Sequence, residues 1–545
     1  MSIFCYNYYM KYFTNKNVFF GGSLRRFRIY MLLIIITLLF IIPCFSENTY
    51  KIADVKYDIS GLTREYVLSQ KLDIDTNDIF NSQEELNEYI NVIKQNLENQ
   101  RVIEEYEVAQ SFSEPDSEGL ISVYLTIKTK DSINFVIVPY PKYDVNTGFE
   151  LKLKIKDYNF LGSMEEFNSS LIYQLRIDED SGEKSNCLDF SFGFDIPFQL
   201  GPFNCNWNND FSLNYVIGDS DIGFEIKEGI DFSLPIYDIT TLKFNISQAF
   251  IQNPEYKCNN DLFYFNTEAS LSLPFNIAEI PNVGYLTWGP GISFNFNWDK
   301  DVFSGAQNFG ILTDDLMGPS ISIFQKIEVG KVNWISNLKD GFFGRIKIDY
   351  SYNFTTLEYS PSISVELERY HALERNSIST RFYYFINAYG GSSKIGNRIR
   401  GIRDNDVESD NAFCMNLDFP IKLFQTNWVG WLKNATDKDL SWLSYVDFEA
   451  EISPFVDFMI GHNTETDSFF NFTDSYLATG FEIIGFPNKF RSIQGRISFG
   501  VDLVQVLSFI GDNANFMNQA VNSVFNTSWR DDPWWELFIG VGLFY

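Results

Sequence analysis

A membrane β-barrel preceded by one small α+β domain is the architecture this sequence predicts. Three observations predict it: long segments in which apolar and polar residues alternate, an aromatic content of 17% with 54 Phe and 30 Tyr, and the near absence of helical periodicity after Gly148. Leu188, Phe190, Phe192, Phe194 and Ile196 alternate with Asp189, Ser191, Gly193 and Asp195. Phe224, Ile226, Ile230, Phe232 and Leu234 do the same against Glu225, Lys227, Asp231 and Ser233, and Phe263, Phe265, Ala269, Leu271 and Leu273 repeat the pattern.

Strands of a soluble sandwich alternate too, but they average about 5 to 6 residues. These segments run to about ten, the length a tilted strand needs to cross hydrocarbon. Many Phe-rich faces need an apolar partner, and the sequence supplies no amphipathic helices to cover them, so lipid is the expected partner. An open sheet edge in hydrocarbon would leave backbone donors and acceptors unpaired at several kcal/mol each, which requires closure. Roughly 17 candidate strands lie between Gly148 and Tyr545, whereas single-chain bacterial barrels have an even number. The doubtful segments fall between Leu286 and Asn387, where Gly and Pro interrupt the alternation.

The part ahead of the barrel divides in two. Arg25, Arg26 and Arg28 precede the apolar run Met31 to Ile42, and small residues around Ser46 suit cleavage, so residues 1–46 read as a signal peptide. The run is about a dozen residues, too short for a bilayer span of roughly 20. Pro43 disfavours lipid attachment at Cys44, and the aromatic stretch before Arg25 fits a start codon further downstream. Residues 50–130 read as a separate α+β domain: an alternating segment Ile52 to Ile59, helical segments, then alternation over Val102 to Val108 and Leu120 to Ile127, with Ser113-Glu114-Pro115-Asp116 as a turn. In its second helix Ser82 and Glu85 form a capping box, and Leu86, Ile90, Ile93 and Leu97 recur on one face. Residues 140–545 are assigned to the barrel.

Charge and composition exclude several functions. Lys+Arg 42 against Asp+Glu 71 gives a net charge of −29, which argues against a nucleic-acid partner. Only His371 and His462 are available as imidazoles, no CxxC pair occurs, and no nucleotide loop or nucleophile–base pair is present. No enzyme activity, metal or cofactor is expected. After the signal, Cys187, Cys205, Cys258 and Cys414 remain, permitting a disulfide such as Cys205–Cys258 without fixing the pairing.

Ile399-Arg400-Gly401-Ile402-Arg403 places a fixed cation beside a glycine in a loop between two alternating segments. It resembles the Val-Arg-Gly-Phe/Tyr signature of the bacterial surface antigen superfamily, the outer-membrane barrels of the BamA and TamA type that insert or translocate other proteins. Other segments follow the order of that family. Gly148 to Ile155 leads into Asn159-Phe160-Leu161-Gly162, similar to its first-strand turn. Asn416-Leu417-Asp418-Phe419-Pro420-Ile421 is similar to the strand after its signature loop. Phe455-Val456-Asp457 resembles its Phe/Gly-x-Asp-x-Gly motif, in which a lumenal aspartate binds the loop arginine, although Met459 here replaces the final glycine. Gly540, Leu543 and Tyr545 on the last segment resemble the carboxy-terminal insertion signal of barrel proteins, and residues 50–130 look like a polypeptide-transport-associated (POTRA) domain.

The resemblance implies 16 strands, an outer-membrane location in a diderm bacterium, and a periplasmic amino-terminal domain. It also implies Arg400 as a lumenal pin on Asp457; without the resemblance, the residues alone read as a solvated arginine in a polar external loop, with Asp404 or Asp406 as neighbours. The function it implies is receipt of unfolded client proteins by strand addition and their insertion or translocation, with outer-membrane lipids and accessory lipoproteins as further partners. A passive channel or surface antigen is the alternative. Two insertions stand outside the pattern. Phe424 to Leu443, with Trp428, Trp431, Trp442, Lys433 and Lys438, reads as interfacial with snorkelling lysines. Val504 to Pro533 is a long connection, helical around Phe516 to Phe525 and extracellular in the usual orientation.

Overall fold

Alternation at period two and one amphipathic helix dictate most of what the computed structural model contains. It describes residues 49–541 except 118, 145–147, 178–183, 220–221, 237–238, 254–262, 281–282, 300–318, 355–356, 389–392, 396–397, 403–407, 434–439, 464–466 and 513–534. The signal segment, Cys258, Asp404, Asp406, Lys438, the Phe516–Phe525 helix, Leu543 and Tyr545 therefore lie outside the described residues.

The amino-terminal domain runs β1 (Thr49–Ser60), α1 (Glu65–Leu72), β2 (Ile79–Phe80), α2 (Gln83–Asn99), β3 (Ile103–Phe112) and β4 (Leu120–Asp131). Its sheet has the order β2-β1-β4-β3, with β1 parallel to β4 and β3 antiparallel to it. The backbone N–H of Glu85 donates to Ser82 Oγ at 3.1 Å, so the helix starts where its cap residue stands. The reciprocal bond falls one residue earlier, Asn81 N–H to Glu85 Oε2 at 2.6 Å. Leu86, Ile90, Ile93 and Leu97 are buried against Ile52, Val123, Leu125 and Ile127 of the sheet, the stripe that 3.6-residue periodicity selects.

A closed antiparallel sheet runs from the strand Phe135–Asp144 to the strand Trp535–Val541, with 21 strand segments among the described residues. Three pairs of segments run end to end beside shared neighbours: Phe263–Ser272 with Phe275–Ile280, Asn411–Asp418 with Ile421–Gln425, and Ser468–Phe469 with Tyr476–Pro487. Counted as single staves, they leave 18 among the described residues. This corrects the expected 16. The odd count read from Gly148 onward is completed by the strand Phe135–Asp144, not by discarding a segment. Pro139 and Pro141 argue locally against a strand, because proline removes a ladder donor, yet the strand Phe135–Asp144 opens the barrel, five residues ahead of the expected residue 140.

Along the strands the large apolar side chains face outward. Leu151, Leu171, Ile226, Phe244, Ile246, Leu271, Ile292 and Ile323 are all exposed. A contiguous apolar band of this extent needs a non-aqueous neighbour. Cys205 is a free, buried thiol, as are Cys187 and Cys414.

Candidate functional site

Five successive staves carry the site on their inward faces. Antiparallel register sets Arg381 opposite Asn416 and Asn416 opposite Asp457. Asp418 lies two residues along from Asn416, and Glu482 and Arg496 follow on the strands Tyr476–Pro487 and Gly495–Asp502. The loop holding Ile399 to Gly401 leaves the barrel after the strand Ser377–Asn387 and folds back into the lumen, where Arg400 is 8% exposed and Asp457 is 0% exposed.

The structure brings Arg400 and Asp457 together through three bonds. The backbone N–H of Arg400 donates to Asp457 Oδ2 at 2.9 Å, Nε to the same oxygen at 2.8 Å, and Nη2 to Oδ1 at 2.6 Å. Nη1 reaches Asp418 Oδ1 at 2.5 Å and Glu482 Oε1 at 3.4 Å. The guanidinium also stacks on Phe455, 3.8 Å from the ring centroid. Arg381 holds Asp418 at 2.9 Å and Arg496 holds Glu482 at 3.3 Å. Three guanidiniums thus meet three carboxylates, which removes the net charge that would make burial prohibitive. Sequence reading singled out Arg400 and Asp457, and used Asp418 only as a marker of order. Glu482, Arg381 and Arg496 carry no motif, and their only sequence signal is a charge on the inward face of an alternating strand.

Apolar packing seats the rest of the loop. Ile395, Ile399 and Ile402 cluster with Phe385, Ala412, Cys414, Tyr476 and Met459, so Met459 fills space beneath the loop where the family motif has glycine. Gly401, at φ +85°, lies against Gly500; a Cβ on Gly401 would come within 2.5 Å of Val501 N. Its N–H donates to Glu536 Oε2 of the last strand at 2.8 Å, and Asn416 Nδ2 donates to the Arg398 carbonyl at 2.9 Å. The loop is therefore tied to both flanks of the barrel's carboxy-terminal half.

Asn159 to Gly162 forms more than a turn. Asn159 Nδ2 donates to Thr63 Oγ1 at 2.8 Å and Asp131 Oδ2 at 3.1 Å, and Arg64 N–H donates to the Gly162 carbonyl at 3.0 Å. Phe160 stacks on Phe167 with centroids 5.0 Å apart, and the Leu161 carbonyl accepts from Arg64 Nε at 2.9 Å. The motif docks the amino-terminal domain onto the barrel. Across the mouth, Arg101 donates to the Arg491 carbonyl at 2.8 Å, the Ser336 carbonyl at 2.9 Å and Asn337 Oδ1 at 2.8 Å, and Arg491 pairs with Glu98 at 2.6 Å. Tyr158, Met164 and Ile493 of the barrel turns join the domain's own core. Between this lid and the ion cluster lies a cavity of about 340 Å³, lined by Trp334, Lys339, Tyr370, Glu451 and Phe486.

Glu104 gives the docking a pH dependence. Burial raises its pKa, but hydrogen bonds from Lys489 of the barrel and Lys130 outweigh burial and hold the carboxyl below the usual glutamate range. A depressed folded pKa contributes stability that is complete above the unfolded value, about 4.3, and is lost as pH falls through the folded value. Docking is expected to hold at neutral pH and to weaken below about pH 4, with Glu104→Gln flattening the transition. Hydrogen exchange of residues 488–494, corrected for intrinsic rate, reads this; identical pH profiles in the two chains would refute it.

Gly540 ends the inward face of the last strand, below Glu536 and Phe538, while Leu537 and Ile539 face outward. Among the described residues no cluster of His, Cys, Asp and Glu is placed to hold a metal ion.

No family model matches the chain, and no curated protein matches it. Solved structures similar in outline include BamA from Haemophilus ducreyi lacking POTRA domains 1-3, at 11% identity and TM-score 0.35, covering 90% of this chain and 84% of that one. CdiB from Acinetobacter baumannii is similar at 12% identity and TM-score 0.40, covering 84% and 71%. CdiB from Escherichia coli is similar at 9% identity and TM-score 0.38, covering 92% and 91%. The barrel and the buried ion cluster stand on this chain's own geometry.

Proposed function

We propose that this chain is an outer-membrane barrel of the bacterial surface antigen type that assists insertion or translocation of other outer-membrane proteins, receiving them through its POTRA-like amino-terminal domain. The observation that carries the reading is the seam between the first and last strands. Tyr158 N–H donates to the Asn134 carbonyl at 3.1 Å, and the register continues without a bulge to Asp144 opposite Gly148. Hydrogen-bonded pairs alternate along an antiparallel ladder, so residues 139 and 141 direct their backbone groups away from the second strand, toward the last. Both are proline. The seam-facing edge of the first strand therefore lacks two donors by covalent structure, and it can make fewer ladder hydrogen bonds than a strand without proline.

A client strand supplies N–H groups where the prolines cannot, so strand addition at the parted seam regains hydrogen bonding that closure leaves unmade. The apolar outer band supports residence in a bilayer. The domain docked across the mouth and the loop folded into the lumen both stand on the path through the barrel, which favours this reading over a steadily open channel. The step needs no cofactor and breaks no covalent bond.

Proteoliposomes carrying the chain should accelerate folding of a urea-unfolded barrel protein, and Pro139→Thr with Pro141→Thr should slow it. Two restored bonds are worth about 1–3 kcal/mol together. A steadily open pore with no acceleration, and full insertion of other barrels when the chain is depleted from cells, would establish the passive-channel alternative instead.

A further inference from the structure

We infer that the described stretches Thr426–Lys433 and Leu440–Asp447 form a paddle that inserts into the phospholipid leaflet on the side of the amino-terminal domain and fixes the depth of that rim; the inference rests on the membrane reading above. Sidedness comes from the ladder. Phe448 lies opposite Pro487, and the adjoining turn, through Lys489, Arg491 and Ser492, holds the amino-terminal domain. Asn488 N–H also donates to the Asp447 carbonyl at 2.8 Å. The segment thus leaves and re-enters the barrel at the domain end, where the connections at 336–337 and 488–494 are short turns.

Its base is built and polar. Asp447 accepts from Trp428 N–H at 2.9 Å and Thr426 Oγ1 at 3.1 Å, Phe448 N–H donates to Thr426 Oγ1 at 2.8 Å, and Asn427 caps the short helix Trp428–Leu432 through Gly430 N–H at 2.8 Å. Thr426 and Asp447 are buried. Above this base the described side chains are apolar and uncovered: Trp431 is 56% exposed, Trp442 60%, Tyr445 52% and Val446 50%.

Continuity identifies the occupant. Ile421, Leu423 and Phe424, on the strand entering the paddle, are exposed on the barrel's outer surface, so the uncovered rings extend the same apolar band past its rim. Tryptophan, with an apolar body and one N–H donor, suits the headgroup boundary. In sequence the segment carries two lysines, Lys433 and Lys438, and three aspartates, Asp437, Asp439 and Asp447, so attraction to anionic lipid is not its basis; apolar area is.

The test uses the full chain in phosphatidylcholine vesicles containing lipids brominated at shallow or deep acyl positions, with aqueous iodide as a second quencher. Trp431→Phe with Trp442→Phe isolates the emission of the two rings by difference. That emission should be quenched by shallow bromine at least twofold more than by deep bromine, and shielded from iodide. Quenching by iodide with no lipid effect, while the remaining tryptophans still respond to lipid, would overturn the paddle and leave the barrel embedded. Shielding from both quenchers means that a protein or a second copy covers the rings, which also overturns it. No lipid quenching of any tryptophan would instead defeat the membrane reading itself.

Discussion

Arg400→Glu will release the signature loop from the lumen and lower the unfolding midpoint of the barrel. The substitution removes a cation that touches Asp457, Asp418 and Glu482 together, and it adds a fourth carboxylate. Removing one partner of a buried ion pair costs about 3–5 kcal/mol, because the remaining charge stays desolvated. Arg381 and Arg496 still neutralise Asp418 and Glu482, so the loss concentrates on Asp457, which is fully buried. Protease cleavage within residues 395–410 and the urea midpoint read the effect. Arg400→Lys should fall between, since an ammonium keeps the charge but cannot span both Asp457 oxygens. Asp457→Arg on the Arg400→Glu background should restore part of the midpoint by returning a cation to the cluster. Full recovery is not expected, because the stack on Phe455 and the backbone bond from Arg400 are not rebuilt. A protease-resistant Arg400→Glu chain with an unchanged midpoint would remove the pin from the account.

The sequence discloses those parts of this molecule that depend on local period, and hides those that depend on register. Alternation from Gly148 onward is visible because side chains on successive strand residues point to opposite faces whatever their neighbours are. The stripe Leu86, Ile90, Ile93, Leu97 is visible for the corresponding helical reason. The strand Phe135–Asp144 is hidden because Pro139 and Pro141 argue locally against a strand, and only its place at the seam lets them stand there. Glu482 and Arg496 are hidden because their partners are chosen by stagger between staves, which no single segment encodes. Met459 reads as a defect in a motif; the apolar cluster beneath Ile399 and Ile402 shows that the space needs filling in this chain. Asn159 to Gly162 reads as a turn, since its partners Thr63, Arg64 and Asp131 belong to a different domain.

Gly162→Ala will lift the amino-terminal domain from the barrel mouth, and a second glycine makes the cause separable. Gly162 has φ +73°, and a Cβ there would stand 1.8 Å from the Leu62 carbonyl oxygen, a backbone atom that cannot rotate away. Gly201, in another barrel turn, has φ +60°, and a Cβ there would meet nothing within 4 Å. Alanine at either site bears the left-handed penalty of about 1–2 kcal/mol, but only at Gly162 must two elements part. The bonds nearest the clash go first: Arg64 N–H to the Gly162 carbonyl, then Asn159 to Thr63 and Asp131. Separation should propagate to the far side, because the domain that Gly162 seats also holds the barrel turn there, Arg101 donating to the Arg491 carbonyl and Glu98 pairing with the Arg491 side chain. Hydrogen exchange of residues 488–494, distant in sequence from the substitution, is the readout, with protection falling about tenfold or more, equivalent to ~1.4 kcal/mol of docking free energy. Gly201→Ala should leave that peptide unchanged. Equal loss of protection in the two variants would mean that turn strain, not the meeting of domain and barrel, controls the mouth.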